Sequence, residues 1–116
     1  MDLTDTHLRY LLAIYQLSRT RSKVSSVGVA RALGVSRPSV TRMLNILTEK
    51  ELVTKERYGK ITLTDRGTAL ACRQLEYVRL LALRLPALGL DLTDQEAENA
   101  ALALTGCLPQ RCRKQL

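Results

Sequence analysis

The chain has 116 residues, 46% of them hydrophobic, and a formal net charge of +7, which is the size and composition of one small globular domain. No stretch reaches the roughly 18 uncharged apolar residues of a membrane span, and the N-terminus lacks the basic-then-apolar layout of a signal peptide, so we expect a cytoplasmic protein. The chain has neither Phe nor Trp, so its core must be aliphatic.

The basic charge is concentrated in one part of the chain. Residues 19–66 carry eleven Lys or Arg and only four Asp or Glu, whereas the other residues carry equal numbers of each sign. Lys and Arg displace counterions from phosphates, so a focused basic region is typical of a protein that binds a polyanion. A solvated basic face would have the same charge, so charge alone does not establish nucleic-acid binding.

Two helices are predicted in the first 34 residues. Apolar residues recur with a helical period over Leu3–Leu17. Ser25 or Ser26 can cap a second, short helix. Gly34 can end that helix, because glycine adopts a left-handed conformation at little cost.

A third helix follows a tight turn and is amphipathic. Ser36 can cap it, and Pro38 is tolerated in its first turn. One apolar stripe is formed by Val40, Met43, Leu44 and Leu47. The opposite face and its edges carry Arg37, Pro38, Ser39, Thr41, Arg42, Asn45 and Glu49.

A β-hairpin and two more helices are predicted after the third helix. The runs Leu52–Glu56 and Ile61–Leu63 favour strands, and the four residues between them include a glycine suited to a hairpin turn. A long helix should begin near Asp65 and end before Pro86. A capping box at Thr93-Asp-Gln-Glu predicts a last helix that reaches about Leu104.

These elements together predict a mostly α fold with a small β-hairpin wing. The order helix, helix, turn, helix, hairpin is that of a winged helix-turn-helix. We expect this DNA-binding domain over residues 1–66, dimerisation helices over 67–106, and a basic, flexible tail over 107–116.

The winged helix-turn-helix predicts a sequence-specific binder of double-stranded DNA. Its second motif helix offers a polar face to the major groove, where Arg can bridge guanine, Asn can bridge adenine, and Ser or Thr can reach base edges or phosphates. The hairpin tip would contact the DNA backbone or the minor groove. The candidate DNA-binding residues are Ser36, Arg37, Pro38, Ser39, Thr41, Arg42, Asn45, Arg57, Tyr58 and Lys60.

Two other classes of function compete with DNA binding. A winged helix can dock on a protein, but a docking face should be more apolar than that of Thr41, Arg42 and Asn45. An enzyme is less favoured still, because the sequence has no carboxylate pair near a histidine and no nucleophile motif.

Several segments resemble the diphtheria-toxin-repressor and manganese-transport-regulator family of metal-dependent repressors. The resemblance covers about residues 7 to 104, and the related multiple-antibiotic-resistance regulators are the alternative family. It is carried by Tyr10-Leu-Leu-Ala-Ile-Tyr-Gln-Leu17, Val35-Ser-Arg-Pro-Ser-Val-Thr-Arg-Met43, Leu63-Thr-Asp-Arg-Gly67 and Gly89-Leu-Asp91. The resemblance implies a repressor that binds a palindromic operator as a dimer formed by the last two helices.

The chain departs from this family at the metal ligands. The six ligand positions that the resemblance implies are occupied by Arg9, Leu12, Val78, Ala100, Ala103 and Leu104. None of these side chains is a ligand that Mn²⁺ or Fe²⁺ prefers. We therefore predict no cofactor and no activation by manganese or iron, and the sequence names no other effector.

Three cysteines leave an alternative open. Cys72, Cys107 and Cys112 could form a thiolate site for a soft metal or a redox switch. Their spacing is not a known ligand pattern, and three idle, reduced thiols are the simpler interpretation.

The C-terminal part has more aliphatic residues than one short domain can enclose. A last helix that is apolar over most of its circumference should be buried on more than one side, and an exposed patch of that size favours association. We therefore predict a homodimer. Its candidate interface residues are Leu81, Leu85, Leu88, Ala101 and Leu102.

Overall fold

A computed structural model describes residues 3–116. It is mostly helical with one two-stranded antiparallel hairpin, which confirms the predicted fold class. The helices are α1 Asp5–Thr20, α2 Ser26–Leu33, α3 Arg37–Glu49, α4 Asp65–Arg84, α5 Asp94–Cys107 and α6 Gln110–Arg113. The strands are β1 Val53–Lys55 and β2 Ile61–Leu63, and short 3-10 turns cover Arg57–Gly59 and Leu85–Leu88. No helix within residues 3–116 is long and apolar enough to cross a membrane.

Local hydrogen bonds begin the first three helices, and a glycine ends the second. The hydroxyl groups of Thr4, Ser25 and Ser36 each accept a backbone N–H from the first turn of the helix that follows. These bonds pair donors that would otherwise have no partner within the helix. Gly34 ends α2 in the left-handed conformation at φ 67°, where a side chain would be disfavoured. The turn from α2 into α3 is therefore set by residues within a few positions of it.

The hairpin is short and is attached to the helical core. Val53 pairs with Leu63, and Lys55 pairs with Ile61. The Ile61 N–H also donates to the carbonyl oxygen of Val24 at 2.9 Å, which fixes the hairpin to the segment between α1 and α2. Strand β1 is one residue shorter at each end than the predicted run Leu52–Glu56, whereas β2 has the predicted bounds.

The chain divides into two compact units, and the first ends at Cys72. Its core is aliphatic, as the composition predicts, with Tyr10 as the one aromatic residue in the buried cluster. Helices α1, α2 and α3 and both strands contribute to this core. Its most enclosed side chains are Leu11, Ile14, Val29, Val40, Leu44, Leu47 and Leu52.

Helix α4 passes very close to the start of the hairpin. Gly67 is buried in the first turn of α4, and a Cβ at this position would overlap the carbonyl oxygen of Leu52. The Thr64 hydroxyl accepts the Gly67 N–H at 3.1 Å and donates to the Glu51 carbonyl at 2.8 Å. Glycine is required here because the two backbones are in contact.

The second unit runs from Arg73 to Leu116. The predicted capping box is present, since Thr93 and Glu96 exchange hydrogen bonds of 3.0 and 3.1 Å. The hydrogen bonds that Thr93 gives to the Glu96 carboxylate lower the pKa of Glu96. Helix α5 extends three residues beyond the predicted end at Leu104, because no proline interrupts it before position 109.

The segment 107–116, expected to be a flexible tail, differs from that expectation. It contains the last residue of α5 and the short helix α6. The Arg113 side chain is 6% exposed, and its guanidinium donates to the Thr105 carbonyl at 3.0 Å. A buried charge needs such partners, so Arg113 holds this segment against α5, and composition alone did not indicate that contact.

Candidate nucleic-acid interface

Helix α3 is anchored by one face and exposed on the other. Val40, Leu44 and Leu47 are at most 1% exposed and belong to the core of the first unit. The opposite face lies in solvent because the side chains there fall outside the apolar stripe. Of the predicted residues on α3, those that are exposed are Arg37, Pro38, Thr41, Arg42 and Asn45, and the Ser36 cap is exposed as well. Ser39 is half-buried.

The hydroxyl groups at the start of α3 are bonded within the helix. Ser36 Oγ lies 2.8 Å from Ser39 Oγ and also accepts the Ser39 N–H. The Thr41 hydroxyl donates to the carbonyl of Arg37 at 3.1 Å, one turn earlier. The Arg42 guanidinium lies 3.4 Å from Ser39 Oγ, a long and weak contact. The serine and threonine hydroxyls are thus already paired in the free protein.

Two long polar side chains on this face are not engaged. In the part of the chain that the structure describes, the side chains of Arg37 and Asn45 have no hydrogen-bond partner, and both are exposed. Together with Arg42, they provide guanidinium and amide groups of the kind that recognise guanine and adenine in the major groove. The face of α3 therefore combines uncommitted polar groups with a firm attachment to the core.

The hairpin tip is the second basic surface of the first unit. Arg57, Tyr58 and Lys60 are all exposed, and the Tyr58 ring is 91% exposed. The Lys60 carbonyl accepts the Glu56 N–H at 2.7 Å, which closes the turn. Tyr58 has a φ of 64°, the left-handed region that a tyrosine seldom adopts. The tight turn thus projects an aromatic ring and two cations into solvent.

Arg21 is a basic residue that the sequence analysis did not single out. It lines a groove of about 410 Å³ between the end of α1 and the hairpin, and Lys60 lines the same groove. A Cβ at Gly28 would lie 3.5 Å from its guanidinium, so the Arg21 side chain lies over the first turn of α2. Arg21 lies inside the basic stretch of the sequence, which could have indicated it as a candidate. Its position beside the hairpin depends on the tertiary fold.

The structure does not assemble a metal site from the residues present. Among residues 3–116, no three His, Cys, Asp or Glu side chains are grouped so that they could hold a metal ion. The single histidine, His7, accepts the Thr4 N–H on Nδ1 at 3.1 Å and so caps α1. Leu12 and Val78, at two of the implied ligand positions, are buried and apolar. The residues present do not fit the metal that the family resemblance implies.

The three cysteines of the alternative thiolate site are divided between the two compact units. Cys72 and Cys107 are exposed and Cys112 is half-buried, and all three are free thiols. Cys72 lies in the first compact unit and the other two lie in the second. Within the second unit, no third His, Cys, Asp or Glu side chain is grouped with Cys107 and Cys112. A thiolate site that uses all three cysteines stays a prediction.

The candidate dimer residues differ in their exposure. Leu88 and Leu102 are exposed and Leu81 is half-buried. Leu85 and Ala101 are buried within the chain, at 8% and 0% exposure, so these two must be removed from the candidate surface. Periodicity could not separate these two residues from their exposed neighbours because both kinds of residue lie in the same apolar segments. Exposed leucines outside the list of candidate interface residues are Leu83, Leu90 and Leu104.

Known proteins match this arrangement in sequence. Residues 2–61 match the family model of the iron dependent repressor, N-terminal DNA binding domain. The HTH-type transcriptional regulator MntR of Listeria welshimeri is 34% identical over 82 residues, which cover 71% of this chain and 58% of that protein. The chain thus spans little more than half the length of the curated relatives that it matches.

Solved structures match the fold over almost the whole chain. The manganese regulator SloR has a TM-score of 0.74 at 28% identity, and the match covers 99% of this chain and 52% of that one. The T. acidophilum IdeR has a TM-score of 0.81 at 22% identity over 99% of this chain and 53% of that one, which shows the fold alone. Since the matched model covers just over half of the chain, including all of α1, α2 and α3, the chain belongs to the iron dependent repressor family.

Proposed function

We propose that this chain is a sequence-specific DNA-binding transcriptional regulator that acts as a repressor. The observation that carries the proposal is the exposed face of α3, where Arg37 and Asn45 have no partner among the described residues and Arg42 has only a long contact to Ser39. In this proposal α3 enters the major groove, and these side chains reach base edges. Its buried stripe keeps the helix fixed to the core while it binds.

The hairpin would supply contacts that do not depend on sequence. Arg57 and Lys60 are exposed at the tip and are free to approach phosphates. Arg21 lies beside the same groove as Lys60 and adds a third cation. Contacts to phosphates position a protein on the duplex and set its salt dependence, whereas contacts to bases set its preference.

The test is selection of bound sequences from a random DNA pool, followed by anisotropy titrations with the selected site and with random DNA. Asn45→Ala should cost about 1–3 kcal/mol on the selected site and little on random DNA. Lys60→Ala should weaken both to a similar degree and lower the slope of affinity against salt by about one unit. Equal losses on both DNAs for Asn45→Ala would refute base reading by this residue.

We further propose that the chain binds a palindromic operator as a two-fold dimer through its second unit. Support comes from leucines that remain exposed there, with Leu83 at 78% and Leu88 at 71% exposure. Leu90, Leu102 and Leu104 are exposed in the same unit. An exposed apolar surface of this kind is typical of an association site. Two-fold pairing would place two α3 helices about one DNA turn, or a multiple of it, apart.

We also propose that manganese and iron do not activate this chain. Metals appear in the names of similar proteins, such as the manganese regulator SloR. Here the six implied ligand positions carry no carboxylate, imidazole or thiol, and one of them, Arg9, is a cation that donates to the Leu33 carbonyl at 3.4 Å. Mn²⁺ and Fe²⁺ prefer oxygen and imidazole ligands. Any effector would therefore have to use other residues.

A further inference from the structure

Thr41 occupies the middle of the exposed face of α3, and its hydroxyl is already used. The hydroxyl donates to the Arg37 carbonyl at 3.1 Å, which is an ordinary hydrogen bond to the preceding turn. The side chain as a whole remains exposed. A threonine has only one hydroxyl proton, so Thr41 cannot donate a second hydrogen bond to a base without giving up this one.

The remaining group of the exposed side chain is its γ-methyl. A β-branched side chain places its two γ atoms in different staggered positions, so the methyl does not share the hydroxyl's contact with the helix backbone. In the major groove the apolar partner for such a methyl is the C5-methyl of thymine, which threonine methyls contact in known complexes. Cytosine lacks this methyl, and the purines do not have one.

The position of Thr41 agrees with such a contact. It lies one turn after Arg37 and one turn before Asn45, about 6 Å along the axis from each. Both neighbours carry uncommitted polar groups on the same exposed face. A residue between two base-reading side chains must itself lie against the base edges if they do.

We propose that Thr41 reads a thymine through its γ-methyl and that its hydroxyl donates no hydrogen bond to DNA. This inference rests on the proposed function, because it requires α3 to lie in the major groove. It is more specific than the expectation that a threonine on this face reaches base edges or phosphates. It also predicts that the selected site contains an A·T pair at one position in each half-site.

The experiment combines two protein variants with a change of one methyl group on the DNA. Thr41→Val keeps the methyl and removes the hydroxyl, whereas Thr41→Ser does the reverse. Replacing each thymine of the selected site by uracil, one at a time, removes only the C5-methyl. Burial of one methyl group contributes about 0.8 kcal/mol, which is about a four-fold change in affinity.

Thr41→Val should bind the selected site within two-fold of the wild type. Thr41→Ser should lose about four-fold, and uracil at one position should cost the wild type a similar factor. In Thr41→Ser, the same uracil should cost nothing more, because the two methyls make one contact. Circular dichroism of each variant should match that of the wild type, since the site is exposed.

Thr48 provides the matched control. Its hydroxyl donates to the Leu44 carbonyl at 2.7 Å in the same way, and it is exposed, but it lies in the last turn of α3, farther than Thr41 from Arg37 and Arg42. Thr48→Ser should leave the uracil scan unchanged. If Thr41→Val loses ten-fold while Thr41→Ser binds normally, the hydroxyl makes the contact and the inference is wrong. Failure of the wild type to prefer any sequence would instead overturn the proposed function.

Discussion

Replacing Gly67 with alanine should destabilise the first unit, although alanine is normally the better helix former. Gly67 lies in the first turn of α4, and an added Cβ would overlap the Leu52 carbonyl oxygen and come 3.3 Å from a methyl of Leu63. The nearest obstacle, the Leu52 carbonyl group, is backbone, so no side-chain rotation can relieve the overlap. The first turn of α4 would have to move away from the start of β1.

The size of the effect follows from three contributions. Forced separation of packed groups costs about 1–3 kcal/mol. The move would also weaken the hydrogen bond from the Thr64 N–H to the Leu52 carbonyl, 3.1 Å at present, which contributes about 1 kcal/mol. Alanine gains back about 1 kcal/mol through its helix propensity. The net loss should be about 2 kcal/mol, measured by urea unfolding followed by circular dichroism.

Gly28 is a closely matched control. It also lies in the first turn of a helix in the same unit, and its N–H also donates to the hydroxyl of the capping residue, Ser25. A Cβ there would meet its nearest atoms at 3.5 and 3.6 Å, which is ordinary contact. Gly28→Ala should therefore stabilise the protein by about 0.5–1 kcal/mol. If Gly67→Ala is as stable as Gly28→Ala, the close approach of α4 to β1 is wrong.

Three further outcomes are expected. Leu102→Asp should convert a dimer into a 13.0 kDa monomer in light scattering, because it places a charge on the exposed leucine surface. Val27 is equally exposed but lies in the first unit, so Val27→Asp should leave the dimer intact. Calorimetry with Mn²⁺ or Fe²⁺ should show only weak surface association. Burial and the charge of Lys50 lower the pKa of His7 in the folded protein below 6.5. As the pH falls, the unfolded chain therefore binds a proton at a higher pH than the folded protein does, and stability should fall below about pH 6.5. His7→Gln should remove that pH dependence, since glutamine can serve at the same position of a capping box.

Each of these outcomes has a clear opposite. A wild-type monomer at micromolar concentration would contradict the dimer, and a micromolar Mn²⁺ site that strengthens DNA binding would contradict the loss of metal activation. A His7→Gln variant that keeps the same loss of stability between pH 7 and pH 5.5 would assign the pH dependence to another group.

The sequence by itself determined those features that depend on neighbours within about one helical turn. Ser36 caps α3 through Ser39, Gly34 ends α2, and the capping box at Thr93 begins α5, all as predicted. Each is a hydrogen bond or backbone preference within four residues, so the residue type at the right spacing is sufficient. The buried and exposed faces of α3 followed from periodicity for the same reason.

Tertiary structure decided which residues are buried by parts of the chain distant in sequence. It also decided which hydrogen-bond partner a flexible side chain takes. Leu85 and Ala101 have the same apolar character as their exposed neighbours, and only the packing of the chain shows that they are enclosed. The closing segment carries Arg113, whose burial against Thr105 gives order to a stretch that composition described as a tail. The bond from Thr41 to Arg37 is local, yet a threonine hydroxyl can turn either to the helix or to solvent. The sequence shows which side-chain groups are present, whereas packing determines which of those groups remain free to bind.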